Sequence, residues 1–359
     1  MIRKKTNFFY FKIFKFFDQK DLGSLPRIFL SSFLIILTFY FAPIFLEASK
    51  NRNFELPNNS KKILAYTLNN KNNGNLSDEQ ILNENDLLSD ILSLNDLDTD
   101  TVRLSASTIK QLFEDTNYTL DDVRKNKLVK PVALTLLPGE IKMIENTKKR
   151  KDFFIQIVLP LILKENNNIR IDRKRLFNII NKSNNTKLEK KWLQKKYKQY
   201  GIPSKDLSIL KMRMDEIPVS LAIAQAAKET GWGTSRFAQE GNALFGQWTW
   251  SGEGLKPKDA DKNEGHKVMK FNVLQASVRA YQRNLNTHKT YKPFREARAK
   301  LRDNNKNLDS LVLSKYLDAY AETGEKYVDV LQQIIEQNNL QDFDDAKLLP
   351  SSIGLESLI

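Results

Sequence analysis

The sequence predicts a mainly α-helical fold with one small β region set behind a buried helix. From about Pro138 almost to the end, apolar residues recur at three- and four-residue spacing. That period disappears only between Gly246 and Phe271, a stretch of Gly, Pro and charge closing on "HKVMKF", which reads as a β-hairpin or long loop. A hydrophobic fraction of 41% over 359 residues is ample for a real core.

Taken in order, the chain opens on the basic, aromatic "MIRKKTNFFYFKIFKFFDQK" and continues into an uncharged run, residues 28–46. Nineteen uncharged residues span about 30 Å of hydrocarbon as a helix. Seven Lys or Arg and two Asp precede the run, which keeps the N-terminus cytoplasmic and exports the rest. An anchor and a long signal peptide both fit; "LEAS" is a poor cleavage site, which favours an anchor over residues 1–49. Residues 50–101, rich in Asn, Ser and Asp, read as a low-complexity linker with a short helix. Residues 102–138 form a small helix-strand region, partly helical in "TIKQLFEDTNYTLDDVRKNKLV", with a short strand in "KPVALTLLP".

The helical texture then begins. "KRKDFFIQIVLPLILKENN" is strongly apolar and carries Pro160, which predicts a kink or break. "IDRKRLFNIINK", "KLEKKWLQKKYKQYG" (stopped by Gly201) and "KDLSILKMRMDEI" read as further helices. Pro218 suits a helix start, with Asp215 and Glu216 at its positive end. After the β region come four more helices, in "NVLQASVRAYQRNLNTH", "PFREARAKLRD", "LDSLVLSKYLDAYAE" and "EKYVDVLQQIIEQNN".

Composition narrows the chemistry. There is no Cys, so disulfides, thiolate metal sites and Cys nucleophiles are excluded. With only His266 and His288, a His-based metal centre or Ser-His-Asp triad is hard to build, and no metal or cofactor is implied. Carboxylates remain. The net charge of +14 fits an anionic partner, or a general Lys and Asn bias.

One carboxylate stands out. The helix "IPVSLAIAQAAKET" has no charge from Pro218 to Ala227, then ends on Glu229 before "GWG". Glu229 shares a face with Ala222, Gln225 and Ala226, whose size leaves room beside it. A helix C-terminus and burial beside Trp232 both oppose its ionisation, as a general acid requires. On the residues alone an exposed Glu229, paired with Lys228 or Arg236, fits equally well.

"AQAAKETGWGTSRFAQEGNALFGQW" resembles the signature of bacterial FlgJ-like endo-β-N-acetylglucosaminidases, an A-Q-A-A-x-E-[ST]-G-W-G-x-S core followed by N-x-[LF]-F-G. "NALFGQWTW" and "SVRAYQRNLNTHKTYKPFREARA" are similar to the Bax-type branch in particular. The resemblance implies an α+β lysozyme-like domain over residues 139–345, with residues 346–359 as a tail. It also implies peptidoglycan glycan strands as substrate and Glu229 as catalytic acid. The second carboxylate, in the β region, is one of Glu253, Asp259, Asp261 and Glu264, with Glu264 favoured; a substrate-assisted route would need none. Trp232, Phe245, Trp248 and Trp250 offer flat surfaces to sugars or serve the core. The resemblance adds Tyr320 as a cleft residue; Asn242, counted with the substrate-binding residues, also suits ordering of the loop after the catalytic helix, and Arg279, Asn284 and His288 match without a role. The expected protein is a periplasmic hydrolase held to the inner membrane by its N-terminal helix, with no nucleic-acid partner. A lytic transglycosylase and a non-catalytic wall-binding scaffold are the rival readings.

Overall fold

The computed structural model describes residues 90–91, 93–94, 102–249, 254–256 and 267–350, all within the unit Asp78–Ile359. The expected span at 28–46 lies outside them; among the described residues no helix is long and apolar enough to cross a membrane. Of the linker, residues 90–91 and 93–94 are described, and they are helical.

The described residues are mainly helical, as the periodicity predicts. Helices α1 (Ala106–Asp115) and α2 (Leu120–Asn126) start at Ser105 and Thr119, whose hydroxyls accept from the amides of Thr108 and Asp122. Their buried residues, among them Ile109, Phe113 and Val123, join the main hydrophobic core. Strand β1 is only Leu128–Val129. The predicted strand at 130–138 is not formed. Pro131 removes a ladder donor, and Val132, Leu134 and Leu137 enter the core from an irregular segment.

Pro160 does not break its helix either. Helix α3 runs Thr147–Ile180, merging two predicted helices. A proline leaves the carbonyl four residues back without its amide donor. Here that carbonyl, on Gln156, accepts from the buried Tyr118 hydroxyl at 3.1 Å, and Gln156 Nε2 donates back to the Tyr118 carbonyl at 2.7 Å. The second half of α3, α4 (Lys187–Gln199) and α5 (Leu207–Arg213) enclose a smaller core of Leu176, Tyr197, Tyr200, Leu210 and neighbours.

Helix α6 (Val219–Thr230) is the buried centre. It runs antiparallel to α3: Asn166 bonds Ile217 at its start, and Phe154 meets Trp232 beyond its end. Its N-terminus is capped from far away, since Asp344 accepts from the Ser220 amide (2.8 Å) and hydroxyl (2.7 Å). Asp215 and Glu216, expected there, are drawn off by arginines: Arg173, Arg298 and Arg302 surround buried Asp215, and Arg170 pairs with Glu216.

Helix α7 (Arg236–Gly241) leads into an antiparallel sheet of β2 (Trp248–Thr249), β3 (Gly254–Leu255) and β4 (Lys267–Met269), ordered β2-β4-β3. Helices α8 (Leu274–Thr287), α9 (Lys292–Asp303), α10 (Ser310–Ser314) and α11 (Glu325–Gln337) follow. Strand β5 (Lys347–Leu348) falls in the expected tail, yet it pairs in parallel with β1.

Candidate active site

Glu229 is the penultimate residue of α6. Behind it Gly231, Trp232 and Gly233 all have positive φ (57°, 60° and 83°). The first glycine closes the helix with a left-handed cap. At Gly233 a Cβ would lie 3.0 Å from Ile141 and Phe154 side chains, so the second glycine admits the chain to a packed wall. Thr230 fixes this corner, donating to the Ala226 carbonyl and accepting from the Gly233 amide.

The carboxyl group is held by a line of side chains. Tyr327 donates to Glu229 Oε1 at 2.9 Å. Gln225 Nε2 donates to the Tyr327 oxygen at 3.1 Å, and Tyr281 donates to Gln225 Oε1 at 2.8 Å. Gln225 lies one turn before Glu229, so both side chains reach the same tyrosine. On the other oxygen, a Cβ at Gly246 would come within 3.1 Å of Oε2; glycine there, at φ 60°, lets the loop backbone close on the carboxyl. Burial pushes the pKa of Glu229 up, while the Tyr327 hydrogen bond and the Lys228 charge pull it partly back. Arg236 is not its partner: it pairs with Glu240 and donates to the Lys256 carbonyl. The half-buried acid, rather than the exposed ion pair, is the environment found.

The predicted binding residues divide. Tyr320, on a 3-10 turn (Asp318–Tyr320), stacks on Tyr327 at 5.5 Å between centroids and donates to the Phe245 carbonyl at 2.8 Å. It therefore ties the Gly246 loop to the Glu229 wall. Tyr291 packs against Tyr320 at 6.0 Å, its pKa pushed up to about 12 by burial. Asn242 has φ 48° and donates to the carbonyls of Phe271 and Asn272, ordering the loop from beneath. Buried at 5% exposure, it orders the loop and offers no side-chain contact to a sugar.

Phe245 is a correction. At 1% exposure it stacks on Tyr281 (3.8 Å, 7°), so no ring face is left for a sugar. Trp232 is half-buried, edge-on to Phe154 at 6.0 Å with Lys151 Nζ 4.9 Å from its centroid. Trp248 contributes its backbone to β2 opposite Val268. Trp250 and all four candidates for the second acid, Glu253, Asp259, Asp261 and Glu264, lie outside the described residues.

Of the matched residues without a role, Arg279 holds buried Glu165 through two bonds, 3.0 and 2.8 Å. Asn284 bonds Tyr291, and His288 accepts from the Thr290 amide. The residues missed by sequence reasoning are Tyr327, Tyr281 and Gly246. Gly246 closes the quoted N-x-[LF]-F-G motif, and Tyr327 sits in the same "YAETGEKYVDV" as Tyr320. Tyr281 lies in the quoted "SVRAYQRNLNTH", with nothing to single it out from its neighbours.

Residues 205–340 match the family model described as Glucosaminidase, mannosyl-glycoprotein endo-beta-N-acetylglucosaminidase. Protein bax of Escherichia coli (strain K12) is 30% identical over 195 residues, 53% of this chain and 70% of that protein. Among solved structures, the catalytic domain of the autolysin Auto from Listeria monocytogenes aligns over 48% of this chain and 97% of its own, at 19% identity and a TM-score of 0.29. That score is too low for the likeness to bear on the fold.

Proposed function

The chain belongs to the bacterial Bax-type glucosaminidase family and is a glycoside hydrolase, and on that premise we propose that it cuts peptidoglycan glycan strands after N-acetylglucosamine, at the β-1,4 bond. One observation carries the assignment of Glu229 as general acid: a carboxyl whose pKa is raised by burial, with one oxygen held by Tyr327. Because Oε1 accepts that hydrogen bond, the acid's own proton sits on Oε2, beside Gly246. Oε2 then protonates the leaving glycosidic oxygen, and a water completes hydrolysis. Tyr320, Trp232, Trp248 and Trp250 are the aromatic residues proposed to meet sugars. Glu264, three residues before β4, is the proposed second carboxylate; Glu264→Gln should reduce turnover by orders of magnitude, and near-normal turnover favours the substrate-assisted route.

The test is mass spectrometry of purified sacculi digested with the protein. N-acetylglucosamine reducing ends support the proposal. Anhydro-muramyl ends assign a lytic transglycosylase, and no release assigns a scaffold. The same reading puts residues 50–359 outside the cytoplasm, anchored through residues 28–46. A reporter fused after Ser49 that is active only in the cytoplasm overturns that placement.

A further inference from the structure

The outer face of α4 carries a run of exposed lysines. Lys187, Lys190, Lys191, Lys195 and Lys198 follow the spacing i, i+3, i+4, i+8, i+11, so they form one solvent-facing stripe. The opposite face, Trp192, Leu193 and Tyr197, packs into the smaller core. None of the five has an ion pair among the described residues. The acids nearby are spent elsewhere: Glu189 completes the helix cap with Thr186 and pairs with Lys182, and Asp172 pairs with Lys196. At the α3–α4 tip, beside the stripe, Leu188 is 75% exposed and Ile180 38%.

We propose that this lysine stripe and its apolar tip form a docking surface for an anionic lipid bilayer. Charge complementarity alone admits any polyanion, but the tip selects among them. Leucine and isoleucine gain from hydrocarbon, whereas nucleic acids and glycans reward planar rings, and the one tryptophan of α4 is covered by Arg175. Lysines near an anionic surface contribute about fivefold in affinity each.

The placement also has a direction. Helix α3 meets Trp232 through Phe154 and extends to Ile180, 26 residues on, roughly 40 Å at 1.5 Å per residue. A bilayer at the tip therefore leaves the Glu229 end of the domain facing away from lipid.

The chain has no Cys, so Leu188→Cys gives a single labelling position for an environment-sensitive dye. The full chain carrying it is reconstituted in vesicles of phosphatidylcholine, alone or mixed with phosphatidylglycerol. The expected result is a blue shift confined to the phosphatidylglycerol vesicles, removed by high salt and by adding Lys187→Glu, Lys190→Glu and Lys191→Glu. A label at Val312→Cys stays unshifted. No shift at position 188, or equal shifts in both vesicles, overturns the proposal. A shift produced by duplex DNA or by sacculi, and not by vesicles, reassigns the stripe to that polymer and overturns it too. Cleavage of soluble glycan by the triple variant is expected to match the parent, which separates this test from that of the proposed activity.

Discussion

At the scale of single residues, Glu229 is a carboxyl placed where ionisation is costly. Its folded pKa lies above the ordinary 4.5 because of burial, so folding favours the protonated form. The contribution to stability is therefore lost as pH rises from the unfolded value through the folded one. Glu229→Gln removes that loss. The variant should match the parent's thermal midpoint near pH 4 and exceed it above neutral, while glycan cleavage falls by about 10²–10⁴-fold. A variant less stable than the parent at neutral pH assigns Glu229 a structural role.

Tyr327→Phe tests the other half of the arrangement. The lost hydrogen bond favoured the ionised form, so the alkaline limb of kcat/KM should move to higher pH as kcat drops. Gln225 Nε2 also loses its acceptor in a buried site, costing about 1–3 kcal/mol. A loss of stability with an unmoved pH profile would reduce Tyr327 to packing. Glu229 was legible in the sequence because its helix, cap and loop lie within thirty-two quoted residues, 217–248. Tyr327 and Tyr281 were not, being 98 residues from Glu229 and 56 from Gln225. Phe245, open in the sequence between a sugar surface and the core, is settled as core only by the stacked Tyr281: an aromatic beside an acid in sequence says nothing about which way its ring turns.

At the scale of elements, periodicity located most helices, but the one expected over 308–322 shortens to Ser310–Ser314 and a 3-10 turn. Pro160 shows how a distant side chain can replace a backbone bond. Pro160 is tolerated because Tyr118 reaches the stranded Gln156 carbonyl. Tyr118→Phe should leave that carbonyl unpaired in the core and cost about 1–3 kcal/mol, read by denaturant unfolding. Adding Pro160→Ala restores the amide donor, so the double variant should recover much of the loss. No recovery would mean that Tyr118 acts through packing alone. The missing strand at 130–138 has the same lesson, since β-branched residues suit any buried extended segment.

At the scale of the whole domain, α6 depends on residues from both ends. Asp344, its pKa pushed up to about 6 by burial, caps the helix, and β5 beside it pairs with β1. Asp344→Ala should lower stability by about 0.5–2 kcal/mol, measured by thermal unfolding; an unchanged midpoint would make the cap incidental. The pairing of Ser220 with Asp344 spans 124 residues, and its consequence concerns synthesis. As the ribosome extends the chain, the helix bearing the acid emerges well before the residue that finishes its first turn. Local contacts form fast and distant ones late, so the nascent domain stays incomplete until nearly its last residue is out. A chain ending before Asp344 is expected to be inert and readily proteolysed. Prematurely terminated copies of a wall-cutting enzyme would then be harmless to the cell that made them.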